Sequence, residues 1–328
     1  MANLPNADWS GVQPAPLREA ERRRLANRMA LAYLLDAITL LRGDRHLLDT
    51  LLAGVIVQAN TARVRREADL QIAYARAEDS VPDEMRRPVS INAVAASLHL
   101  PFETVRRRVN GLIARGEVVV VDGGLVVPGA LLRSPQYLAA AFAGYGRLQR
   151  FYRDLDAAGL IGDLPASSVE LRAGVVPLRT AERLAADYLL RFIELLMNQV
   201  GEVQDTLLFV GVIHWNIVHL GAEMPTGPAG STEHFVPDHL RRPINAAALA
   251  RLVGLPAETV RRHLSALEGR GLCCSVGRAG VIVPAEIHAS LGLLAVMEDN
   301  WRNLQRLFAA LAQLGVLASW DPARAPAG

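Results

Sequence analysis

The chain has 328 residues, 51% of them hydrophobic and 21% charged, with a formal net charge of +2. That length carries two cores of ordinary size, while the near-neutral balance excludes a general polyanion binder, so any nucleic-acid surface has to come from local clustering of charge. All 35 basic residues are arginine, a side chain suited to bidentate contacts with phosphate and guanine, although GC-biased coding explains the missing lysine more simply.

The opening MANLPNADWSGVQPAP is polar and Pro-rich and lacks the charged start and apolar core of a signal peptide. A charged helix is expected from Leu17 to Leu41 and a strongly apolar one from Leu47 to about Arg65, with Asp49 as N-cap. EADLQIAYARAED is compatible with an extension of that helix. After the Arg-Arg-Pro at 86–88 come two short helices, then EVVVVDGGLVVP, Glu117 to Pro128. Two β-branched runs around Asp-Gly-Gly predict a hairpin there. A helix over about Tyr137 to Ala158 closes the set.

The same order then returns. PLREAER (16–22) echoes as PLRTAER (177–183), DTLLAGVIVQAN (49–60) as DTLLFVGVIHWN (205–216), and VPDEMRRP (81–88) as VPDHLRRP (236–243). The offset stays near roughly 155 to 160 residues, which reads as duplication of a whole domain. The expected units are 12–165, with a reader motif at 89–128, and 174–320, with a reader motif at 244–284. GDLPASSVELRAG is the expected linker, and the tails 1–11 and 321–328 are expected to be disordered. In the second unit the helices are expected at Leu178 to Val200, Asp205 to Leu220 and about Ile287 to Leu314. There, Asp205 takes the N-cap place of Asp49, GAEMPTGPAGSTEHF reads as a loop, and Leu272 to Pro284 is the second hairpin.

The most informative stretch is LPFETVRRRVNGLIARG, Leu100 to Gly116, which recurs as LPAETVRRHLSALEGRG, Leu255 to Gly271. At 100° per residue Val105, Val109 and Leu112 form one stripe, with Phe102 and Ile113 at its edge. Glu103, Thr104, Arg107 and Asn110 fall opposite, and Arg106 and Arg108 lie on the flanks. In the second copy Val260, Leu264 and Leu267 face inward, Glu258, Thr259, Arg262 and Ser265 outward, and Arg261 and His263 sideways. From Arg86 to Arg115 six arginines stand against one Glu; from Arg241 to Arg270 six stand against two. Both are basic islands in a near-neutral chain.

Helix, turn, helix and hairpin is the order of a winged helix-turn-helix. INAAALARLVGLPAETVRRHLSALEGRGL resembles the reader segment of bacterial winged-helix transcriptional regulators, and the unit plan is most similar to the MarR type. The resemblance implies a mostly α fold with small β-hairpins, an α+β winged helix present twice. It implies double-stranded DNA as the partner. Base contacts are expected from Glu103, Arg107, Asn110, Glu258, Arg262 and Ser265, and phosphate contacts from Thr104, Arg106, Arg108, Thr259, Arg261 and Arg278. Relatives often carry a polar or basic residue where Phe102 and Ala257 stand. Asp122 at the first hairpin tip would repel phosphate, whereas Arg278 at the second would not. The remaining helices are expected to pack through a shared apolar interface. The chain is then a covalent pseudo-dimer, its readers about one DNA turn, roughly 34 Å, apart. The competing reading is a non-enzymatic adaptor that uses winged helices to hold proteins.

Other signals carry less. His214 and His219 are five apart, about 140° around a helix, which is poor geometry for one metal. Adjacent Cys273 and Cys274 form neither a disulfide framework nor a zinc motif, so a reducing cytoplasm is the simplest compartment. No catalytic triad, cofactor loop or metal signature is apparent, and the expectation is a non-enzyme without cofactor or metal. The apolar run Leu207 to Gly221 is too short to span a bilayer. The helices leave room for a small-molecule effector near Met197, His214 and Trp215, with core packing as the plainer use of these residues, and for further homodimerisation.

Overall fold

The computed structural model describes Trp9, residues 17–169, Leu171, and residues 174–221, 231–321 and 324. The tails expected to be disordered lie outside the described residues, apart from Trp9, Asp321 and Arg324, and so does most of the GAEMPTGPAGSTEHF stretch. Among the described residues the fold is mostly helical, with two small antiparallel hairpins, and no helix is long and apolar enough to cross a membrane.

In chain order the helices are α1 (Glu19–Arg42), α2 (Leu47–Asn60), α3 (Ala62–Arg66), α4 (Ala68–Ala73), α5 (Ile91–Ser97) and α6 (Phe102–Ala114). Strands β1 (Val119–Val121) and β2 (Gly124–Val126) follow, then α7 (Gly129–Leu132), α8 (Pro135–Ala157), α9 (Leu178–Val200) and α10 (Val203–Ile217). The chain continues with α11 (Ala246–Val253), α12 (Ala257–Gly269), β3 (Cys274–Ser275), β4 (Val281–Ile282), α13 (Ala285–His288), α14 (Leu291–Gln313) and α15 (Val316–Trp320).

Two compact units are formed, and they interleave along the chain. The α6 unit comprises residues 40–152, 161–191 and 303–328; the α12 unit comprises 1–39, 153–160 and 192–302. The compact units therefore do not follow the sequence boundaries 12–165 and 174–320. The first part of α9, residues 178–191, belongs to the α6 unit, and most of α1, up to residue 39, belongs to the α12 unit. In the α6 unit, Arg183 on α9 donates to the Gln71 Oε1 at 2.8 Å and the Tyr74 carbonyl at 2.8 Å, and Arg179 donates to the Leu132 carbonyl at 2.6 Å. In the α12 unit, Asn27 on α1 donates to the Met297 carbonyl at 3.0 Å and Arg28 to the Gly221 carbonyl at 2.7 Å.

Local signals explain the short helices. Ser90 caps α5 by accepting from the Ala93 N–H, and Asn245 caps α11 by accepting from the Ala248 N–H. Helices α6 and α12 each begin after a proline and carry a glutamate in the first turn, where the helix dipole favours it. Both end in a Schellman motif: Gly116 donates to Ile113 and Glu117 to Leu112, and Gly271 donates to Glu268 and Leu272 to Leu267. The αL conformation this needs, φ +71° at Gly116 and at Gly271, is why glycine ends both helices.

Hairpin β1–β2 pairs Val119 with Val126 and Val121 with Gly124, and β3–β4 pairs Cys274 with Ile282 and Ser275 with Val281. In each, the segment entering the short helices adds one bridge, Val89 to Leu125 and Ile244 to Val281. A fully buried asparagine fastens each hairpin to the apolar helix. Asn60 donates to the Arg87 and Leu125 carbonyls at 2.8 and 3.1 Å and accepts from the Val127 N–H at 2.9 Å. Asn216 donates to the Arg242 carbonyl at 2.7 Å and accepts from the Val283 N–H at 2.9 Å.

Candidate nucleic-acid interface

Helix α6 is held by one face. Val105, Val109 and Leu112 are fully buried, each worth about 1.5–3 kcal/mol of burial. Glu103, Arg106, Arg107 and Asn110 are exposed and Thr104 is half-buried. Together these five residues line a shallow concavity on the helix surface. On α12, Val260, Leu264 and Leu267 are buried, Glu258, Arg261, Arg262 and Ser265 are exposed, and Thr259 is half-buried.

The outward charges are not equivalent. Arg106 grips Glu103 with Nη2 at 2.7 Å, which raises the guanidinium pKa above its ordinary value. Arg261 pairs with Glu258 in the same i,i+3 geometry. Exposed pairs of this kind contribute little stability, but they occupy the carboxylates and the flanking arginines. Arg107 and Arg262 make no hydrogen bond or ion pair among the described residues, so each carries an uncommitted cation on its outward face.

Arg108 departs from its expected role. Its side chain is half-buried, 3.4 Å from Asp49 Oδ1, with Nη2 2.9 Å from His46 Nε2. It anchors α6 to the start of α2 and does not project as a phosphate contact. Arg115 joins the same carboxylate at 2.9 Å. In α12 the aligned residue is buried His263, whose Nδ1 lies 2.6 Å from Asp205 Oδ1, and Arg270 takes Asp205 Oδ2 at 2.7 Å. Asp49 and Asp205 are therefore not N-caps. His46 caps α2 through a bond from the Leu48 N–H, and the residue at the N-cap of α10 is Glu202. Each Asp lies inside the first turn, where its buried carboxylate binds two cationic or proton-donating groups, Arg108 and Arg115 for Asp49 and His263 and Arg270 for Asp205.

The basic islands also shrink. Arg86 and Arg241, the first arginines of each Arg-Arg-Pro, are 4% and 5% exposed. Each folds back on its own turn, Arg86 onto Asp83 and the Val81 carbonyl, Arg241 onto Asp238 and the Val236 carbonyl. Their partners Arg87 and Arg242 remain exposed. Sequence counting cannot separate these pairs, because burial depends on the turn that surrounds them.

The hairpins differ in surface. Arg278 is exposed in a 3-10 turn at the β3–β4 tip. The β1–β2 tip presents Asp122 and the exposed valines of β1, with Val120 at 65% exposure. Cys273 is buried, which pushes its thiol up to about 12, and Cys274 is exposed with its thiol also raised. Neither thiol is activated for redox chemistry.

Glu202, Asp205 and His263 form the one group among the described residues with the composition of a metal site, their ligand atoms lying within 4.8 Å of one another. Asp205 already accepts from Arg270 and shares a close hydrogen bond with His263. In the α6 module the corresponding residues are His46, Asp49 and Arg108, where a guanidinium fills the same place. The group is thus accounted for as an anchor.

Met197, His214 and Trp215 do not line the cleft described in their unit. Met197 and His214 are 2% and 6% exposed, and the cleft in their unit is lined by their helical neighbours Leu196 and Ile213. One residue along a helix turns the side chain by about 100°, which places these two in the core.

A scan of protein-family models, a search of curated proteins and a search of solved structures find no match to this chain.

Proposed function

We propose that the chain is a sequence-specific DNA-binding transcriptional regulator built from two winged helix-turn-helix modules of duplicated origin. The observation that carries the reading is Arg107 and Arg262: exposed, uncommitted guanidiniums on the outer faces of helices whose inner faces are buried. That is the requirement for a bidentate contact to guanine O6 and N7 in the major groove. Several matched details support the duplication. They include the asparagine clamps Asn60 and Asn216, the anchors Asp49 and Asp205, and the two Schellman ends. Arg278 stands at a hairpin tip that would lie over the DNA backbone. Acting as a pseudo-dimer, the chain would read an imperfect palindrome.

One observation favours a second reading for part of the molecule. The exposed valines of β1 and the adjacent Asp122 suit a protein surface better than phosphate. On that reading the α6 module serves as an adaptor while the α12 module binds DNA.

Selection of bound sequences from random duplex DNA tests both. Full-length protein should enrich a two-part site. Arg107→Ala and Arg262→Ala should each relax one position at a cost of about 1–3 kcal/mol. Loss of preference only with Arg262→Ala supports the mixed adaptor reading. No enrichment by the parent protein sinks the DNA-binding function.

A further inference from the structure

The outer faces of α6 and α12 match at their charged positions and part at two neighbouring ones. Where α6 has Asn110 and Gly111, α12 has Ser265 and Ala266. Asn110 is exposed and makes no hydrogen bond or ion pair among the described residues. It shares one shallow concavity with the uncommitted Arg107. Three residues separate the two, a step of about 4.5 Å along the helix and about 60° around it. Stacked base pairs rise by about 3.4 Å, so a helix that sets Arg107 on one pair sets Asn110 on its neighbour. Ser265 stands in the same relation to Arg262 and is also exposed and uncommitted among the described residues.

The two side chains differ in what they can distinguish. A carboxamide carries an acceptor and a donor side by side. In the major groove adenine presents the matching pair, the N6 donor and the N7 acceptor, whereas guanine presents two acceptors there. A serine hydroxyl rotates to donate or accept as the base edge requires, so it discriminates little.

Gly111 is a second, independent observation. Glycine inside a helix weakens it relative to alanine, and packing does not demand one here. Among the described residues, a Cβ at Gly111 would meet only the end of the Arg115 side chain, at 3.4 Å, an ordinary contact. Gly111 lies about 40° around the helix from Arg107, on the outward side. Its bare backbone lets α6 settle closer to the groove floor beside Asn110, an approach that so short a side chain needs. In α12 the Ala266 methyl is exposed at the same place and holds the backbone further out.

We infer that the two modules read unequal half-sites. Each sets an arginine on a guanine, but only α6 also fixes the adjacent base pair, through Asn110 on adenine N6 and N7. Gly111 is the positioning residue for that contact, and Ser265 leaves α12 tolerant of any base at the matching place. The inference rests on the DNA-binding reading and adds to it the identity of one base and the module that reads it.

The test starts from the two-part site that the full chain selects from random DNA. Fluorescence anisotropy, with duplexes carrying each base pair in turn at every position, compares the parent with Asn110→Ser, Ser265→Asn and Gly111→Ala. All three positions lie off the buried stripe, so the variants keep the core. The half-site that responds to Arg107→Ala should hold an adenine next to its guanine, and replacing it should weaken parent binding roughly 5- to 150-fold, the range of one bidentate pair. Asn110→Ser should level that position and no other. Ser265→Asn should create the same preference in the half-site that responds to Arg262→Ala. Gly111→Ala should flatten the adenine preference while raising the unfolding temperature, an opposition that a purely structural glycine would not give. Identical preferences in the two parent half-sites, no change with Asn110→Ser, none gained with Ser265→Asn, or a site that answers only to Arg262→Ala overturns the inference and leaves DNA recognition standing. Full adenine preference in Gly111→Ala overturns the glycine's part in it. A parent that selects no site fails the DNA-binding reading and this inference together.

Discussion

Replacing Asn60 by alanine tests how the hairpin is coupled to the α6 unit. Its side chain is 0% exposed and makes three hydrogen bonds, to the Arg87 carbonyl, the Leu125 carbonyl and the Val127 N–H. The Leu125 carbonyl keeps a second donor, the Val89 N–H at 3.2 Å. Truncation therefore strands two backbone groups, the Arg87 carbonyl and the Val127 N–H. At about 1–3 kcal/mol for each unsatisfied buried group, with the Arg87 carbonyl only part-buried, the expected loss is roughly 2–5 kcal/mol. Asn60→Asp should be at least as harmful. Its carboxylate still accepts from Val127 but faces two carbonyl oxygens where the amide donated. Urea unfolding measures both variants, and Asn216→Ala gives the same comparison for the Arg242 carbonyl and the Val283 N–H. If Asn60→Ala costs less than about 1 kcal/mol and Asn60→Asp is no worse, water replaces the clamp and the reasoning fails.

Two further predictions concern the turns and His288. His99, between α5 and α6, is the one described non-glycine residue with positive φ, at +51°, and the aligned position between α11 and α12 is Gly254 at +69°. Relieving αL strain of about 1–2 kcal/mol against the added chain entropy of glycine, His99→Gly should stabilise the protein by up to about 1 kcal/mol. Gly254→Ala should destabilise it by a similar amount in the same unfolding assay; the opposite signs would show that side-chain contacts set these positions. His288 is neutral in the fold because burial and Arg241 push its pKa down to about 3, whereas the unfolded ring titrates near 6.5. Between those values the unfolded state binds the extra proton, so this contribution to stability is complete above pH 6.5 and is lost as pH falls. At up to about 1.4 kcal/mol per pH unit, less what is lost because only half of the unfolded rings are protonated at pH 6.5, His288→Gln should remove roughly 1–2 kcal/mol of the stability lost between pH 6.5 and pH 5. Parallel pH curves for the two proteins would contradict the assignment.

The helical periodicity was the strongest signal in this chain. The stripe Val105, Val109 and Leu112 is buried, and the expected helix from Leu178 to Val200 is α9 residue for residue. Runs longer than the signal were broken by single residues. The helix expected from Leu47 to about Arg65 ends at Asn60, whose carbonyl accepts from the Arg87 N–H instead of from the next turn, and the extended conformation of Glu67 separates α3 from α4. Charge was less readable than pattern. An arginine buried on its own turn and an arginine on an open helix face have the same letter, so Arg86, Arg108 and Arg241 inflated the apparent basic surface. The cleft was invisible for a related reason. Arg24 and Arg28 come from α1, Phe192 and Leu196 from α9, and Leu293 and Val296 from α14, and only the interleaved packing brings them together.

Separating anchors from surface also changes the comparison between helices α6 and α12. By composition α12 is the less basic, with His263 in the place of Arg108 and an added Glu268. In the fold both Arg108 and His263 are drawn to the buried aspartate behind their helix and leave the outer face. What remains exposed is matched: Glu103, Arg106 and Arg107 on α6, and Glu258, Arg261 and Arg262 on α12. Each face keeps one glutamate held by a flanking arginine and one uncommitted arginine beside it. The difference between the modules then lies at Asn110 against Ser265 and at the hairpin tips, acidic and valine-rich on one, carrying Arg278 on the other. On the proposed reading the α12 module is the better equipped of the two for the phosphate backbone, because a tip arginine adds an attractive contact where Asp122 adds repulsion.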